Sequence, residues 1–307
     1  MPTNRRNFLI ASALLTPVQR LMAVSAPNMR FPTGARERLA VASWSFREHL
    51  DTAENRARKS NGSLMALRDF PAMVADRYNI HNVEILGQHM PSTTPAYLKE
   101  LRAAVQRAGS HVVDLPAGGR SSLYDPDAKK RAAAVEDGKK WIDVAIALDC
   151  PSVRLNISGA KGVKPDVALT AEGLSTIAQY GASKNVVVNL ENDDPEIEDA
   201  FFIVRVIDRV NSPWLRALPD FCNSMLKGDE KFNYDAVTAM FQRAYNMAHL
   251  KDSEVDNGKV YRVDLARTFA IAKASGFKGY YSAEFEGEGD AYAGVAKLID
   301  AGLKYLA

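Results

Sequence analysis

The second half of the chain repeats one pattern four times, and that repeat restricts the fold more than any other feature of the sequence. Short β-like runs, Asn185-Val-Val-Val-Asn-Leu-Glu191, Trp214-Leu-Arg-Ala-Leu-Pro-Asp220, Asn246-Met-Ala-His249 and Gly279-Tyr-Tyr-Ser-Ala-Glu284, each close on a residue with metal-ligating chemistry. The closing residues lie 29, 29 and 35 positions apart, which is the pitch of one strand followed by one helix. In a parallel barrel the carboxyl ends of consecutive strands converge on one mouth. Glu191, Asp220, His249 and Glu284 are therefore expected to meet there as three carboxylates and one imidazole, a divalent metal site.

The first half continues the alternation. After Arg36, further strands are predicted at 39–45, 81–86, 110–115 and 151–157, which makes eight in all. Helices are expected at 67–78, 95–108, 127–148, 170–183, 195–210, 233–244, 264–275 and 290–305. Gly109, Gly181 and Gly276 follow helical stretches where a left-handed cap is wanted, and Pro95 and Pro195 suit first-turn positions. The polar stretches 46–65, 118–126 and 252–262 read as loops on the strand-to-helix side, where barrel enzymes carry specificity. The predicted fold is α/β, a single (β/α)8 TIM barrel over residues 36–307. Its size agrees with the about 250 residues such a barrel occupies.

Residues 1–30 are expected to lie outside that barrel. Asn4-Arg5-Arg6-Asn7-Phe8-Leu9-Ile10 followed by Ala-Ser-Ala-Leu-Leu resembles a twin-arginine export signal, with small residues at Ala23-Val-Ser-Ala26 where cleavage would fall. The expected partner on this route is the twin-arginine translocase, and the expected location is periplasmic or secreted. No later segment reaches the ~18 apolar residues of a membrane-spanning helix, so no membrane association is expected after cleavage. The 39 basic and 37 acidic residues give a net charge of +2, which offers no electrostatic case for nucleic acid. Cys150 falls before the fourth strand and Cys222 after the sixth, at opposite ends of a barrel about 17–20 Å deep, so both are expected to be free.

Three hard oxygen donors and one nitrogen suit Mn²⁺, Mg²⁺ or Co²⁺ and tolerate Zn²⁺. A cation that prefers six ligands keeps open positions for two vicinal sugar oxygens. Chelation of a carbonyl and its neighbouring hydroxyl acidifies the carbon-bound proton and stabilises an enediolate. Carboxylates on the fifth and eighth strands, Glu191 and Glu284, can remove and return that proton. Return to the opposite face gives epimerisation, and return to the neighbouring carbon gives aldose–ketose isomerisation.

Leu190-Glu191-Asn192, Pro219-Asp220, His249-Leu-Lys251-Asp252 and Ala283-Glu284-Phe285 resemble the motifs of the xylose isomerase-like TIM barrels, a family of sugar phosphate isomerases and epimerases, over residues 36–307. The resemblance implies that Glu191, Asp220, His249 and Glu284 are the metal ligands and that the two glutamates double as acid and base. The ketose 3-epimerase branch places a substrate-contacting His three residues after the Asp and an Arg six residues after the His; here these positions hold Asn223 and Val255. Exported members similar to this chain act on free or oxidised glycosides, where proton abstraction leads to β-elimination or hydration. A lyase or dehydratase on a keto-sugar is therefore the second enzymatic expectation, and a non-catalytic periplasmic sugar binder the third. An endonuclease IV-like reading needs several mouth histidines, whereas this chain has five His in all and only His249 and His89 are suitably placed.

Other candidates follow from strand parity. Lys251 shares the parity of His249 and is expected to steady a developing oxyanion, or else to pair with Asp252. Glu84 is either a substrate contact or a buried paired carboxylate. His89, Asn156 with Arg154, Asn223 and Trp44 are expected to contact a small-molecule carbohydrate, Trp44 by stacking on a sugar face. Cys222 reads as a small filler, and Gly118-Gly119-Arg120 as a turn, because no phosphate-loop Lys follows it.

Overall fold

The computed structural model describes residues 25–58, 63–119 and 121–307. The twin-arginine motif at Arg5-Arg6 and Arg120 of the predicted turn lie outside these residues.

Eight strands run in parallel around one ring: β1 (Leu39–Ala42), β2 (Asn82–Glu84), β3 (His111–Gly118), β4 (Ser152–Asn156), β5 (Val187–Glu191), β6 (Leu215–Leu218), β7 (Met247–Leu250) and, after a two-stranded hairpin β8 (Ser253–Asp256) and β9 (Lys259–Arg262), β10 (Tyr280–Ala283). The hydrogen-bonded order is β6-β5-β4-β3-β2-β1-β10-β7. Parallel bridges Ala217↔Ala244 and Asp220↔His249 join the two ends, with the His249 amide donating to Pro219 O at 3.0 Å. The predicted (β/α)8 barrel is the observed fold.

Helices α1 (Ala53–Ala57), α2 (Phe70–Tyr78), α3 (Pro95–Arg107), α4 (Ala128–Ala147), α5 (Val167–Lys184), α6 (Ala200–Val210), α7 (Glu230–Phe241), α8 (Leu265–Ala274) and α9 (Ala291–Leu306) complete the chain. Among the described residues no helix is long and apolar enough to cross a membrane. Apart from that of α2, their starts are set by side-chain caps that satisfy amide groups left over at a helix amino terminus. Asp127, Asp166, Asp199, Asp229, Asp264 and Asp290 each accept a hydrogen bond from a first-turn N–H.

Two of the predicted boundary signals are corrected. Helix α6 starts at Ala200 behind the Asp199 cap, so Pro195 lies in the preceding turn. Gly181 is inside α5, where a Cβ would stand 2.6 Å from Val186 O; Asn185 (φ 58°) is the left-handed cap. Gly109 (φ 61°) and Gly276 (φ 77°) adopt the expected left-handed conformation.

The stretch 252–262 is a hairpin rather than an irregular loop. Asn257 (φ 48°) and Gly258 (φ 75°) supply the two consecutive left-handed residues that a tight antiparallel turn requires. The chain also joins the barrel earlier than expected. Ser25 O accepts from Trp214 Nε1 at 2.7 Å, the Tyr245 hydroxyl bonds both Pro27 O and Met29 N, and Phe31 packs edge-on against Tyr245 and Tyr280. These partners precede or open β6, β7 and β10, so residues 25–31 strap the amino-terminal floor. Cys150 and Cys222 are free and buried, as expected.

Beneath the mouth the barrel interior is unusually polar. Asn189 Nδ2 donates to Asp114 at 3.1 Å, Asn246 Nδ2 donates to Ser152 Oγ at 2.8 Å, and Ser152 bonds Asp114 in turn. Burial, followed by the nearby Glu84, pushes the Asp114 carboxyl up to about 7.

Candidate metal centre

Glu191 is the last residue of β5, Asp220 follows β6 by two positions, His249 lies in β7, and Glu284 immediately follows β10. One ligand atom from each of these four buried side chains lies within 4.8 Å of the others. Nδ1 of His249 is 2.8 Å from Glu191 Oε1, 3.1 Å from Glu284 Oε2 and 3.9 Å from Asp220 Oδ2. Parallel register explains the convergence: Ser282 pairs with His249 and Ala283 with Leu250, which brings Glu284 level with the end of β7.

The surrounding contacts leave the inner oxygens facing one point. Asp220 Oδ1 accepts from the amides of Cys222 at 2.7 Å and Asn223 at 2.6 Å, while its buried Oδ2 has no hydrogen-bond partner. Asn192 bridges the ends of β5 and β6 by donating to Asp220 O and accepting from Asp220 N. Arg154 reaches Glu191 Oε2 at 2.9 Å.

Burial disfavours the charged carboxylates, pushing Glu191 up to about 7 and Asp220 up to about 6 although Arg154, His249 and Lys251 pull the other way. Burial lowers the basicity of His249, but Glu191, Glu284 and Glu84 together outweigh it and hold the ring well above the usual imidazole value. A proton on Nδ1 thus stands where a cation among the carboxylates would stand. The donor set, the unpartnered Asp220 oxygen and the inward Nδ1 fit a divalent ion held by Glu191, Asp220, His249 and Glu284.

Glu84 follows the second of its two readings, a buried paired carboxylate. It is fully buried, and its carboxylate takes Nε2 of His249 at 2.9 and 3.1 Å, so it supports the imidazole from beneath instead of meeting substrate. Asn223 is likewise behind the cluster: Nδ2 donates to Glu191 Oε1 at 3.3 Å and Oδ1 accepts from Lys251 at 2.6 Å.

Lys251 faces the centre, 3.7 Å from Glu284 and 3.9 Å from Asp220. Its ammonium donates to Asn223 Oδ1 at 2.6 Å and stands beside the carboxylates of Glu254, at 2.6 Å, and Glu286. Its carboxylate partners are Glu254 and Glu286 in place of Asp252, which accepts from Ser253 Oγ at 2.8 Å. Burial pushes Glu254 up to about 8. It acts on Glu286 in the same direction, yet Lys251 and Trp44 together bring that carboxyl down to about 2.

A cavity of about 410 Å³ opens over Glu191 and Glu284 and is also lined by Trp44, Trp141, Arg154 and Asn156. Trp44 is fixed by donation from Nε1 to Glu286. Asn156 turns its amide to Asp193 at 3.0 Å and Glu198 at 3.2 Å. His89 lines a neighbouring cavity; its Nδ1 bonds Ser43 Oγ at 2.9 Å, and burial followed by Arg47 pushes the ring down to about 4, so it is neutral. Trp141 and Asp193 were missed in the sequence. Trp141 sits in mid-helix like a core residue, whereas Asp193 could have been suspected from its place two residues after Glu191.

A closed parallel barrel with a Glu–Asp–His–Glu cluster at its carboxyl mouth defines a (β/α)8 protein built around a candidate metal centre. Residues 74–307 match the model of the xylose isomerase-like TIM barrel family, and the chain belongs to that family. Among solved structures it is similar to a D-allulose 3-epimerase from Methylomonas sp. (17% identity, 89% of this chain and 98% of that one, TM-score 0.65). It is also similar to a 3-keto-D-glucoside 4-epimerase from E. coli (15% identity, 78% and 93%, TM-score 0.58). A third is a xylose isomerase-like TIM barrel protein from Mycobacterium smegmatis in complex with magnesium (14% identity, 89% and 99%, TM-score 0.63). At these identities the likeness is one of fold. No curated protein matches the chain in sequence.

Proposed function

We propose that this protein is a divalent-metal-dependent carbohydrate isomerase or epimerase, exported by the twin-arginine route and periplasmic or secreted. The observation that carries the reading is the placement of Glu191 and Glu284 in one buried four-residue cluster while both line the same cavity. Structural relatives that are named as sugar epimerases, and one solved with magnesium, support it.

When bound, the cation supplies Lewis-acid polarisation of a sugar carbonyl. Glu191 on β5 and Glu284 after β10 stand three places apart around the ring, so their carboxylates approach a bound sugar from different walls. One removes the proton from the carbon beside the carbonyl and the other delivers it. Arg154 keeps Glu191 in place, and Asn223 ties that carboxylate to Lys251. Trp44 and Trp141 offer apolar planes to the C–H face of the sugar and exclude water from the reacting carbon.

The test is incubation of protein loaded with Mn²⁺, Mg²⁺ or Co²⁺ with a panel of ketoses and keto-glycosides in D₂O. Carbon-bound deuterium with retained product mass supports isomerase or epimerase chemistry. Loss of water or aglycone assigns a lyase instead. No exchange with any member, together with sugar binding that survives Glu191→Gln and Glu284→Gln, identifies a binding protein and overturns the reading.

A further inference from the structure

We propose that the substrate extends beyond the reacting sugar, with a second uncharged sugar unit bound in a cavity on the far side of Trp44; this rests on the reading that the cavity over Glu191 and Glu284 holds the reacting ring. The second cavity measures about 540 Å³, and Trp44 and Gln88 line both. The two spaces therefore adjoin at a shared wall. Either one alone falls within the roughly 300–1,000 Å³ typical of small-molecule sites, so together they offer more room than a single ring needs.

The shared wall is fixed. Trp44 Nε1 donates to Glu286, and the Arg47 guanidinium lies over the indole, 4.9 Å from its centroid. Arg47 also donates to Trp44 O at 3.2 Å and Phe285 O at 3.4 Å, which ties the wall to the segment after β10. His89 lies nearly parallel to the indole with centroids 6.0 Å apart. Two linked sugar rings lie on opposite sides of such a ridge when the linkage crosses its exposed edge.

Charge selects the ligand class. In the second cavity Arg58 is paired with Glu54, and the Arg47 guanidinium donates to the Trp44 and Phe285 carbonyls. In the first, Arg154 is already paired with Glu191 and Asp193, beside Glu284 and Glu286. Among the described residues each arginine lining the two cavities is already engaged, by a carboxylate for Arg58 and Arg154 and by backbone carbonyls for Arg47, which favours an uncharged ligand over a phosphate or carboxylate. The exposed Gln88 amide and Glu48 carboxylate supply the donors and acceptors that hydroxyl groups require.

The experiment is calorimetric titration of the metal-loaded protein with 3-keto-D-glucose and with the 3-keto forms of maltose, cellobiose and trehalose, alongside deuterium exchange on each. At least one two-ring ligand is expected to bind tenfold or more tightly than the single ring. Glu48→Ala, which alters the second cavity alone, should reduce that gain and leave single-ring affinity unchanged. Equal affinity for one ring and every two-ring ligand, or equal weakening of both by Glu48→Ala, overturns the second subsite. Tight two-ring binding without exchange overturns the catalytic reading alone and leaves the subsite standing.

Discussion

Nε2 of His249 lies 2.9 Å from Oε1 of Glu84, and both side chains are fully buried. A carboxylate can only accept, so this contact places a proton on Nε2 and turns Nδ1 toward Glu191, Asp220 and Glu284. Partners of this kind orient a ligating imidazole, and their loss typically costs roughly 10–100-fold in metal affinity. Glu84→Gln is expected to weaken Mn²⁺ binding by about that factor, because the amide still fills the space but no longer enforces the tautomer. Isothermal titration of the purified variant with Mn²⁺ checks this; unchanged affinity would show that the pairing is structural only.

Replacing one member of the proposed proton-transfer pair separates chemistry from folding. Glu284→Gln and Glu191→Gln should each lower deuterium exchange by about 10²–10⁴-fold, the range associated with general acid–base catalysis. Asp220→Asn should abolish tight metal binding while metal-free stability holds or rises, because the variant removes a buried carboxylate whose charged form burial opposes. Thermal unfolding in chelator, with wild type alongside, measures the second effect.

The buried acids also set a pH dependence. Glu191 and Asp114 are pushed up to about 7 and Asp220 up to about 6, chiefly by burial. Their unfolded values lie near 4. Across that interval the folded state binds more protons than the unfolded state, so stability falls as pH rises from about 4 toward 7. His249, raised in the fold, contributes with the same sign. Metal-free protein should therefore melt at a higher temperature at pH 5.5 than at pH 8. Saturating divalent cation should shrink the difference by replacing the protons, and Asp114, outside the cluster, should retain part of it. A melting temperature that climbs with pH in chelator contradicts the assignment.

Gly181 makes the close approach of α5 to the start of β5 possible. An added Cβ would stand 2.6 Å from Val186 O, a backbone atom with little freedom to retreat. Gly181→Ala is expected to destabilise the fold by about 1–3 kcal/mol, as overpacking does. Urea unfolding of the variant provides the measurement; no change in midpoint would mean that the helix shifts freely.

The convergence of Glu191, Asp220, His249 and Glu284 was readable because each closes an apolar run at a near-constant pitch, and strand ends in a parallel barrel are forced to one face. Side-chain partnership between remote strands carries no such signature. The pairing of Glu84 with His249 crosses 165 positions, and alternation alone placed Glu84 inward without naming its partner. Lys251 faces the cluster, but the acids it stands beside sit on the hairpin and after β10, beyond the reach of a local pattern. The hairpin itself was announced by Asn257-Gly258 between β-branched and aromatic residues; its polar composition masked that signal. Helix starts were displaced where Asp199 outweighed Pro195, since a side-chain cap satisfies an amide while proline merely tolerates the position.

The strap at Ser25–Phe31 gives the molecule a definite polarity for handling. Whatever is joined ahead of Ser25 leaves from the closed underside, with the depth of the barrel between it and the open cavity. An affinity handle or surface tether introduced there keeps clear of both cavities, whereas an attachment in the 46–58 segment stands beside the second.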